Sequence, residues 1–283
     1  MSVAGLTTAE ARESALDRIR SLRVPPGVAL SFAVIAVVIA WSLAPGLFTG
    51  QDPVNGVPAD KFLPPSAAHW FGTDQLGRDL FSRVVHGTAS SVSSALIAVV
   101  IGVIVGGSIG LLAGFLGGWV DTVLARLVDV LLAIPSFLLA VIVVSSLGFD
   151  TTNAAIATGV SAVAVFARVM RAEVIKTRRA VFVEASFLQG GSHLHILARH
   201  VLPNASRSLL ALAVLQFGLS ILVIAGLAFL GYGDPPPASD WGLLISTGKD
   251  YLKWPWLVYA PALVTIATVL SVNRISRWLR KTD

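Results

Sequence analysis

The sequence predicts an all-α integral membrane protein with six transmembrane helices, and two observations support this fold class. The 283-residue chain is 55% apolar and only 13% charged, with a mean hydropathy of +0.78. It is thus far more hydrophobic than a soluble chain that only has to fill a core. It also contains six runs of at least 17 residues without Asp, Glu, Lys or Arg, at 24–51, 87–120, 130–149, 151–167, 208–233 and 254–273. Each run can form a helix that crosses a bilayer at about 1.5 Å per residue.

The basic residues predict which side of the membrane each segment faces. If the N-terminus is cytoplasmic, 16 of the 21 Lys and Arg residues fall in the cytoplasmic segments 1–27, 114–129, 168–207 and 272–283. This is the positive-inside asymmetry of membrane proteins. We therefore expect a multi-pass protein with both termini in the cytoplasm, and we interpret the pI near 10 as an orientation signal and not as a nucleic-acid surface.

One predicted span separates two polar segments at the start of the chain. Residues 1–27 should form a cytoplasmic tail, in which 7–23 have the spacing of an amphipathic helix that begins with the capping box Thr7-x-x-Glu10. Acidic and basic residues alternate in this tail, so it does not have the pattern of a signal peptide. We expect the first transmembrane helix, at 28–48, to be retained.

Residues 49–87 are predicted to form an extracytoplasmic loop, because Pro, Gly and Asn are frequent in its first part. Helical spacing resumes over 74–86, where one face is apolar. That face carries Leu76, Leu80, Phe81, Val84 and Val85. We expect an interfacial helix there, separate from the spans.

Residues 88–278 should form the transmembrane core of helices two to six, followed by a cytoplasmic tail at 279–283. Four glycines recur every fourth residue in the second helix, which places them on one face and predicts close packing against another helix. They are Gly102, Gly106, Gly110 and Gly114. Pro135 in the third helix and Pro261 in the sixth are predicted to kink their helices.

Two motifs that could carry catalysis are incomplete. The stretch GLLISTGKD at 242–250 has five residues between its glycines, where a phosphate-binding loop has four, and Asp250 follows its lysine in place of Ser or Thr. The stretch GYGD at 231–234 supplies one aspartate, whereas an intramembrane aspartyl protease needs two, so we expect Asp234 to lie in a turn at the membrane surface. We expect no catalytic residue and no cofactor bound by this chain.

Ionisable residues are scarce within the predicted spans. Asp129, Arg168 and Arg171 lie close to span ends, and Gln216 is the one long polar side chain deep in the fifth span. A self-contained secondary transporter or channel, the alternative class, is expected to carry buried ionisable residues or an inverted repeat. Energy for any transport should therefore come from a partner.

The polar stretch 183–206 is too short to span the membrane, because its charge-free part, 185–198, has 14 residues and includes Gly190-Gly191. It is predicted to form a cytoplasmic helix–turn–helix, with a reversal at Gly190 that requires a positive φ. Helices are expected over 184–188 and 192–200, and the apolar face of the second carries Leu194, Leu197 and Val201.

Pro203 should end the second of these helices, and Asn204 should cap the next span. An apolar face in the cytoplasm requires a protein partner. Histidines at 193, 195 and 200 lack converging carboxylates, and His-x-His points the two rings to different sides of a helix, so no metal site is predicted.

At this point the motifs carry a resemblance. Glu184-Ala185-Ser186, Gly190 and, nine residues on, His200-Val201-Leu202-Pro203 resemble the EAA loop of permease subunits in bacterial ABC importers, with Ser186 for Ala and His200 for Ile as departures. Four stretches, in the same order, are similar to the C-type permease of the dipeptide/oligopeptide (peptide/nickel) importers. They are HWFGTDQLGRDLFSRVVHG (69–87), GGWVDTVLARLVDVLLAIPSFLLA (117–140), RHVLPNA (199–205) and FLGYGDPPPASDWG (229–242).

The resemblance implies a type I ABC importer permease fold in a bacterial cytoplasmic (inner) membrane, and a set of partners. These are a second, B-type permease, two ATPase subunits that hold ATP and Mg²⁺, and an extracytoplasmic substrate-binding protein. Residues 183–206, called the EAA segment below, would dock in a groove of the ATPase. The docking residues implied are Glu184, Ala185, Ser186, Gly190, Leu194, Leu197, His200, Leu202 and Pro203.

The resemblance implies that the chain forms half of a translocation pathway for di- and oligopeptides, with the nickel, glutathione or haem of related systems as alternative substrates. On the outer face, the helix 74–86 and the loop 231–256 are expected to form a rim that meets the binding protein. Candidate contacts are Arg78, Asp79, Trp241 and Lys249. Aromatic residues such as Trp241, Trp254 and Trp256 could instead anchor the protein at the lipid interface.

Overall fold

The structure is a computed structural model that describes residues 25–282, so the helix predicted over 7–23 lies outside the described residues. The described residues are almost entirely helical, with one isolated bridge between Thr73 and Asp79 and no strand. The α-helices are α1 (Pro26–Leu43), α2 (Leu80–Ile101), α3 (Gly107–Leu116), α4 (Gly118–Ala133), α5 (Ser136–Leu147), α6 (Thr151–Arg178), α7 (Val181–Leu188), α8 (His193–Ile196), α9 (Leu202–Phe229), α10 (Trp241–Gly248) and α11 (Trp256–Thr282). Two π-turns, Gly102–Gly106 and Leu197–Val201, join α2 to α3 and α8 to α9.

The described residues contain five helical segments long and apolar enough to cross a membrane, and a bent pair that can form a sixth span. The five are α1, α2–α3, α6, α8–α9 and α11. The sixth is α4 with α5, which meet at 92°. Pro135 lies at this break, as the sequence predicts, because its ring excludes the helical hydrogen bond and disfavours a helical residue before it.

The interfacial helix predicted over 74–86 does not form. Residues 74–79 are turns, and α2 begins at Leu80 and continues without a break into the second span. Asp79 sets this start, because its carboxylate accepts a hydrogen bond from the backbone N–H of Ser82 at 2.7 Å and caps the helix. The helix that carries the second predicted span therefore begins about two turns before residue 88.

Helix α6 is the centre of the fold and packs against α2, α3, α5 and α9. The glycine face of the second span lies on it. At Gly106 an added Cβ would lie 2.4 Å from the carbonyl oxygen of Val163, and at Gly110 it would lie 2.3 Å from the carbonyl oxygen of Ala167. Gly102 and Gly114 pack against the same helix. Small residues are required here because helices inside a bilayer associate through close van der Waals contact.

Candidate functional site

The EAA segment forms two short helices joined by a sharp turn. Helix α7 ends at Leu188, and Gly190 has φ +83°, which is the reversal predicted from the sequence. Ser192 then caps α8 by accepting a hydrogen bond from the backbone N–H of His195 at 3.3 Å. The turn fixes the angle between α7 and the helix that leads into the fifth span.

The prediction that Pro203 ends the second helix is wrong. The chain continues from His193 to Phe229 as one helical segment, with the π-turn Leu197–Val201 before Pro203. Pro203 lies in the first turn of α9, where a missing N–H costs little. Asn204 does not cap the span; its side-chain amide donates to the carbonyl oxygen of His200 at 2.6 Å.

One side of the EAA segment is packed into the protein. Val183, Ile196 and Val201 are fully buried and join an apolar cluster with Phe166 and Val174 of α6. The sequence places Val201 on the partner-facing side with Leu194 and Leu197, and that prediction is wrong for the buried Val201. Leu197 is half-buried and packs partly against the same cluster. The segment is therefore attached to the end of α6 through its inner face.

The other side of the segment is an exposed apolar surface. Leu194 is 75% exposed, as its predicted role requires, and Leu202 is 40% exposed. Leu188 and Val181 are 84% and 80% exposed, and Phe182 is partly exposed. Sequence reasoning missed Val181 and Phe182, because it began the first helix at Glu184, three residues after its start. Glu184, Ala185 and Gly190 lie on the surface, whereas Ser186 and His200 are half-buried.

The histidines of the EAA segment do not converge with other potential metal-ligating side chains among the described residues. The rings of His195 and His200 lie 6.2 Å apart, and His200 contacts the ring of Phe182 edge-on. No group of three or more potential metal-ligating side chains occurs among the described residues.

The two segments predicted to be extracytoplasmic, 44–79 and 230–255, are joined into one unit that we call the outer cap. The carboxylate of Asp74 accepts hydrogen bonds from Arg78 Nε at 2.7 Å and from Arg83 Nη1 at 2.8 Å. Arg83 Nη2 donates to the carbonyl oxygen of Ala238 at 2.7 Å, which ties the start of α2 to the second segment. These three ionic side chains are all at least 97% buried.

Aromatic residues hold the cap together from the side of α11. The rings of Phe62 and Trp254 stack at 3.7 Å, and the indole N–H of Trp256 donates to the carbonyl oxygen of Thr73 at 3.3 Å. Trp241 is fully buried, and its indole N–H donates to the carbonyl oxygen of Val84 at 3.2 Å. The tryptophans of the second segment thus serve as internal contacts of the cap.

Three of the four predicted rim contacts are inside the protein. Arg78, Asp79 and Trp241 are 3%, 5% and 0% exposed, so they cannot meet a binding protein in this structure. The error came from assigning Arg78 and Asp79 to the polar face of a surface helix, when they are an ion-pair partner and a helix cap. Lys249 is exposed, and its contact with a partner stays a prediction.

Asp240 is the least satisfied polar group of the cap. One carboxylate oxygen accepts from the backbone N–H of Leu243 at 3.1 Å and caps α10, while the other is buried without a hydrogen-bond partner. Burial raises the pKa of the Asp240 carboxyl above its usual range. Nearby, the Asp234 carboxylate accepts a hydrogen bond from the backbone N–H of Thr151 at the start of α6, and Asp234 lies in irregular backbone between the two turns of this loop. Its place at the membrane surface stays a prediction.

Comparison with known proteins identifies the family. Residues 99–282 match the family described as "Binding-protein-dependent transport system inner membrane component". The chain belongs to this family. The permease is 37% identical over 251 residues to the dipeptide transport system permease protein DppC of Alkalihalophilus pseudofirmus, covering 88% of this chain and 81% of that protein.

Other relatives have related names. The permease is 33% identical to the probable D,D-dipeptide transport system permease protein DdpC of Escherichia coli, covering 90% of this chain and 86% of the relative. It is 40% identical to the glutathione transport system permease protein GsiD of Shigella flexneri, covering 76% and 72%. The chain is therefore a non-catalytic permease subunit of an ABC importer in the bacterial inner membrane.

Solved structures support the fold of the permease. Its structure is similar to a chain of the MetNI methionine ABC transporter in inward-facing conformations, with a TM-score of 0.58 and 16% sequence identity, covering 71% of this chain and 95% of that one. A chain of an amino acid ABC transporter solved with histidines gives a TM-score of 0.55 at 16% identity, covering 71% and 94%. The permease therefore has the type I ABC importer fold.

Proposed function

We propose that the permease forms half of the pathway by which di- and oligopeptides cross the membrane, and that ATPase subunits drive it through the EAA segment. The observation that carries this proposal is the two-sided form of that segment. Its inner face is locked to α6 through Val183, Ile196 and Val201, and its outer face exposes Leu188 and Leu194. Exposed apolar surface of this kind favours a permanent protein partner.

The proposed assembly contains this chain, a B-type permease, two ATPase subunits and an extracytoplasmic binding protein, in a lipid bilayer. ATP and Mg²⁺ bind to the ATPase subunits, and this chain binds no cofactor. Both termini and the EAA segment face the cytoplasm, which the positions of the basic residues support.

Coupling follows from how the EAA segment is attached. A displacement of α7 and α8 by the ATPase acts on α6 through a fully packed apolar contact, and packed contacts move as units. Because α6 also packs against α2, α3, α5 and α9, the displacement reaches most of the spans. A rigid-body change between inward-open and outward-open states is the expected result.

The outer cap is the proposed docking surface for the binding protein. Its buried ion pairs and aromatic contacts make the two segments one unit, so a partner meets a preformed surface. Residues on the exposed side of the cap include Val57, Leu76, Lys249 and Leu252. Lys249 remains the candidate for cross-linking.

Peptides are the favoured substrate class because relatives named for dipeptide and peptide transport align along most of the chain. The similarity to GsiD keeps glutathione as a second candidate, and nickel or haem remain the alternatives that the peptide/nickel family resemblance allows. The binding protein is expected to make most of this selection.

The proposal is tested with the complete complex in proteoliposomes, loaded with ATP on the ATPase side. We expect ATP-dependent uptake of a labelled dipeptide only when the binding protein is present, with competition by unlabelled dipeptide. Glutathione is the matched competitor. Uptake of glutathione or Ni²⁺ with no uptake of dipeptide would overturn the substrate assignment, and uptake without ATP would overturn the importer mechanism.

A further inference from the structure

A charged cavity lies between α3, α4 and α6, apart from the EAA segment and the outer cap. Its volume is about 190 Å³. Small and apolar residues of the three helices form its walls, among them Gly110, Ala113, Val128 and Ala167. Three charged residues also line it, namely Asp129, Arg168 and Arg171.

The two arginines of the cavity are held in different ways. Arg171 makes a two-point contact with Asp121, with Nε and Nη2 at 2.5 and 2.7 Å from the two carboxylate oxygens. Arg168 makes a single hydrogen bond from Nη2 to one oxygen of Asp129 at 2.8 Å. The side chains of this second pair are 61% and 55% exposed. Asp129 and Arg168 therefore retain hydrogen-bonding capacity for a ligand.

The position of the cavity along the helix makes it accessible. Arg168 is 17 residues after Thr151, or about 25 Å along a helix that crosses a bilayer core of about 30 Å, so it lies near the end of the span. Charged side chains near a span end can face water, from which a soluble ligand reaches them. Two other grooves differ from this cavity because both are lined without charged residues, one by α1 and α11 around Val37 and one by α11 and the cap around Tyr259.

We propose that this cavity is an inner binding site for the free ends of a short peptide, with Asp129 for the α-ammonium group and Arg168 for the carboxylate. This proposal rests on the proposed function and adds pathway residues to it. The ligand exchanges the single hydrogen bond between Asp129 and Arg168 for two charge-assisted ones, so the charges remain paired.

The size of the cavity supports a ligand bound by its ends. A dipeptide spans at most about 7 Å, so both of its ends can reach two adjacent side chains. The volume of about 190 Å³ is below the roughly 300 Å³ of a pocket that encloses a small molecule. The side chains of the peptide therefore project out of the cavity, and recognition of the ends alone is compatible with many sequences.

The protein offers a direct test because it contains no cysteine. Ala125 lines the cavity and is half-buried, so Ala125→Cys introduces one thiol at the proposed site. The assembled complex in detergent, without binding protein, is labelled with a membrane-impermeant maleimide in the presence of dialanine or of N-acetyl-dialanine amide. We expect dialanine at twice its Kd to slow labelling about threefold, and the blocked peptide to leave it unchanged.

Matched controls separate this result from general effects of peptide. Ala36→Cys, on the exposed apolar side of α1, should not label, and Ala67→Cys, exposed in the outer cap, should label without protection because no binding protein is present. Adding Asp129→Asn or Arg168→Gln to Ala125→Cys should abolish protection. Adding Glu173→Gln should not, because Glu173 pairs with Lys176 on the same helix away from the cavity.

The outcomes are distinct. Absence of labelling at Ala125→Cys, equal protection by both peptides, or protection that survives both Asp129→Asn and Arg168→Gln would overturn the proposed site. ATP-driven dipeptide uptake by the unmodified complex is measured in parallel. Uptake without protection contradicts this inference alone, whereas protection without uptake contradicts the proposed function.

Discussion

Gly190 and Gly191 are adjacent in the turn of the EAA segment, but they are glycines for different reasons. Gly190 has φ +83°, and an added Cβ would meet nothing within 4 Å, so only backbone strain opposes a side chain there. At Gly191 an added Cβ would lie 2.8 Å from the carbonyl oxygen of Ser186, so a side chain would push α7 away from the turn.

The first prediction concerns this turn. Gly190→Val should destabilise the turn by about 1–2 kcal/mol, because a β-branched residue avoids the left-handed region. The fraction of molecules with the turn that docking requires should then fall about 5–30-fold. The double variant with Gly191→Val should dock on the ATPase more weakly still. We expect normal membrane insertion with reduced ATPase co-purification and reduced substrate-stimulated ATP hydrolysis.

Gly190→Asn is the matched control, because asparagine tolerates positive φ. It should retain coupling close to that of the wild type. If Gly190→Val with Gly191→Val assembles and transports like the wild type, the coupling role given to the EAA segment is wrong.

The second prediction at this scale concerns Asp240. Burial raises the pKa of Asp240 in the folded protein, so folding disfavours the ionised carboxylate. The cost to stability therefore grows as pH rises from the pKa of the unfolded state, about 4, through the higher pKa of the folded state. Asp240→Asn removes this charge and keeps an oxygen that can cap α10. The variant should unfold at a higher temperature than the wild type at neutral pH, with a difference that shrinks as pH falls. Thermal unfolding in detergent across this pH range measures it, and a pH-independent difference would contradict it.

At the scale of elements, the long apolar runs and the residues that break them were predictable. Charge-free length located the spans, Pro135 located the break between α4 and α5, and the four-residue glycine spacing indicated the face that packs on α6. These features depend on local properties of the chain, namely its apolar length and its helix-breaking residues, which can be read from the sequence. The absence of water in the bilayer makes these properties decisive, because every backbone polar group must be paired within a helix.

Errors arose where a tertiary contact overrides local pattern. Apolar spacing over 74–86 is compatible with a surface helix, but Asp74 is instead used to bind Arg83, nine residues later, and α2 starts at the Asp79 cap. A proline such as Pro203 can end a helix or lie in its first turn. Here it lies in the first turn of α9, after the π-turn Leu197–Val201. No pattern within the segment indicates which of these alternatives the rest of the fold selects.

The element-scale prediction concerns the glycine face. Gly110→Ala places a methyl group 2.3 Å from the carbonyl oxygen of Ala167, so α3 and α6 must separate, at about 1–3 kcal/mol. Gly46→Ala is the control, because an added Cβ there has nothing within 4 Å. Unfolding of both variants in detergent is compared, and equal stabilities would show that this contact can relax.

At the scale of the whole molecule, the permease is a non-catalytic subunit, and the proposed mechanism takes its energy from the partners. The only phosphate-loop-like stretch of the sequence, at 242–250, forms α10 and the turn that follows it. Gly242 is closely packed, because an added Cβ would lie 2.6 Å from the carbonyl oxygen of Ala225. The stretch is helical, and the backbone N–H of Leu243 donates to the Asp240 carboxylate, so the stretch is not an open loop that could surround a phosphate.

This arrangement predicts that ATP is hydrolysed only by the partners. The purified permease alone should show no ATPase activity above a mock preparation, whereas the complete complex should hydrolyse ATP, faster when peptide-loaded binding protein is added. A complex that carries Gly190→Val with Gly191→Val should keep the intrinsic activity of each bound ATPase subunit. It should lose the stimulation by peptide-loaded binding protein, because the turn lies between the ATPase and the transmembrane helices. ATP turnover by the isolated chain would contradict the assignment of energy supply. Stimulation that survives in the variant complex, measured per ATPase subunit that remains bound, would contradict the coupling role of the EAA segment.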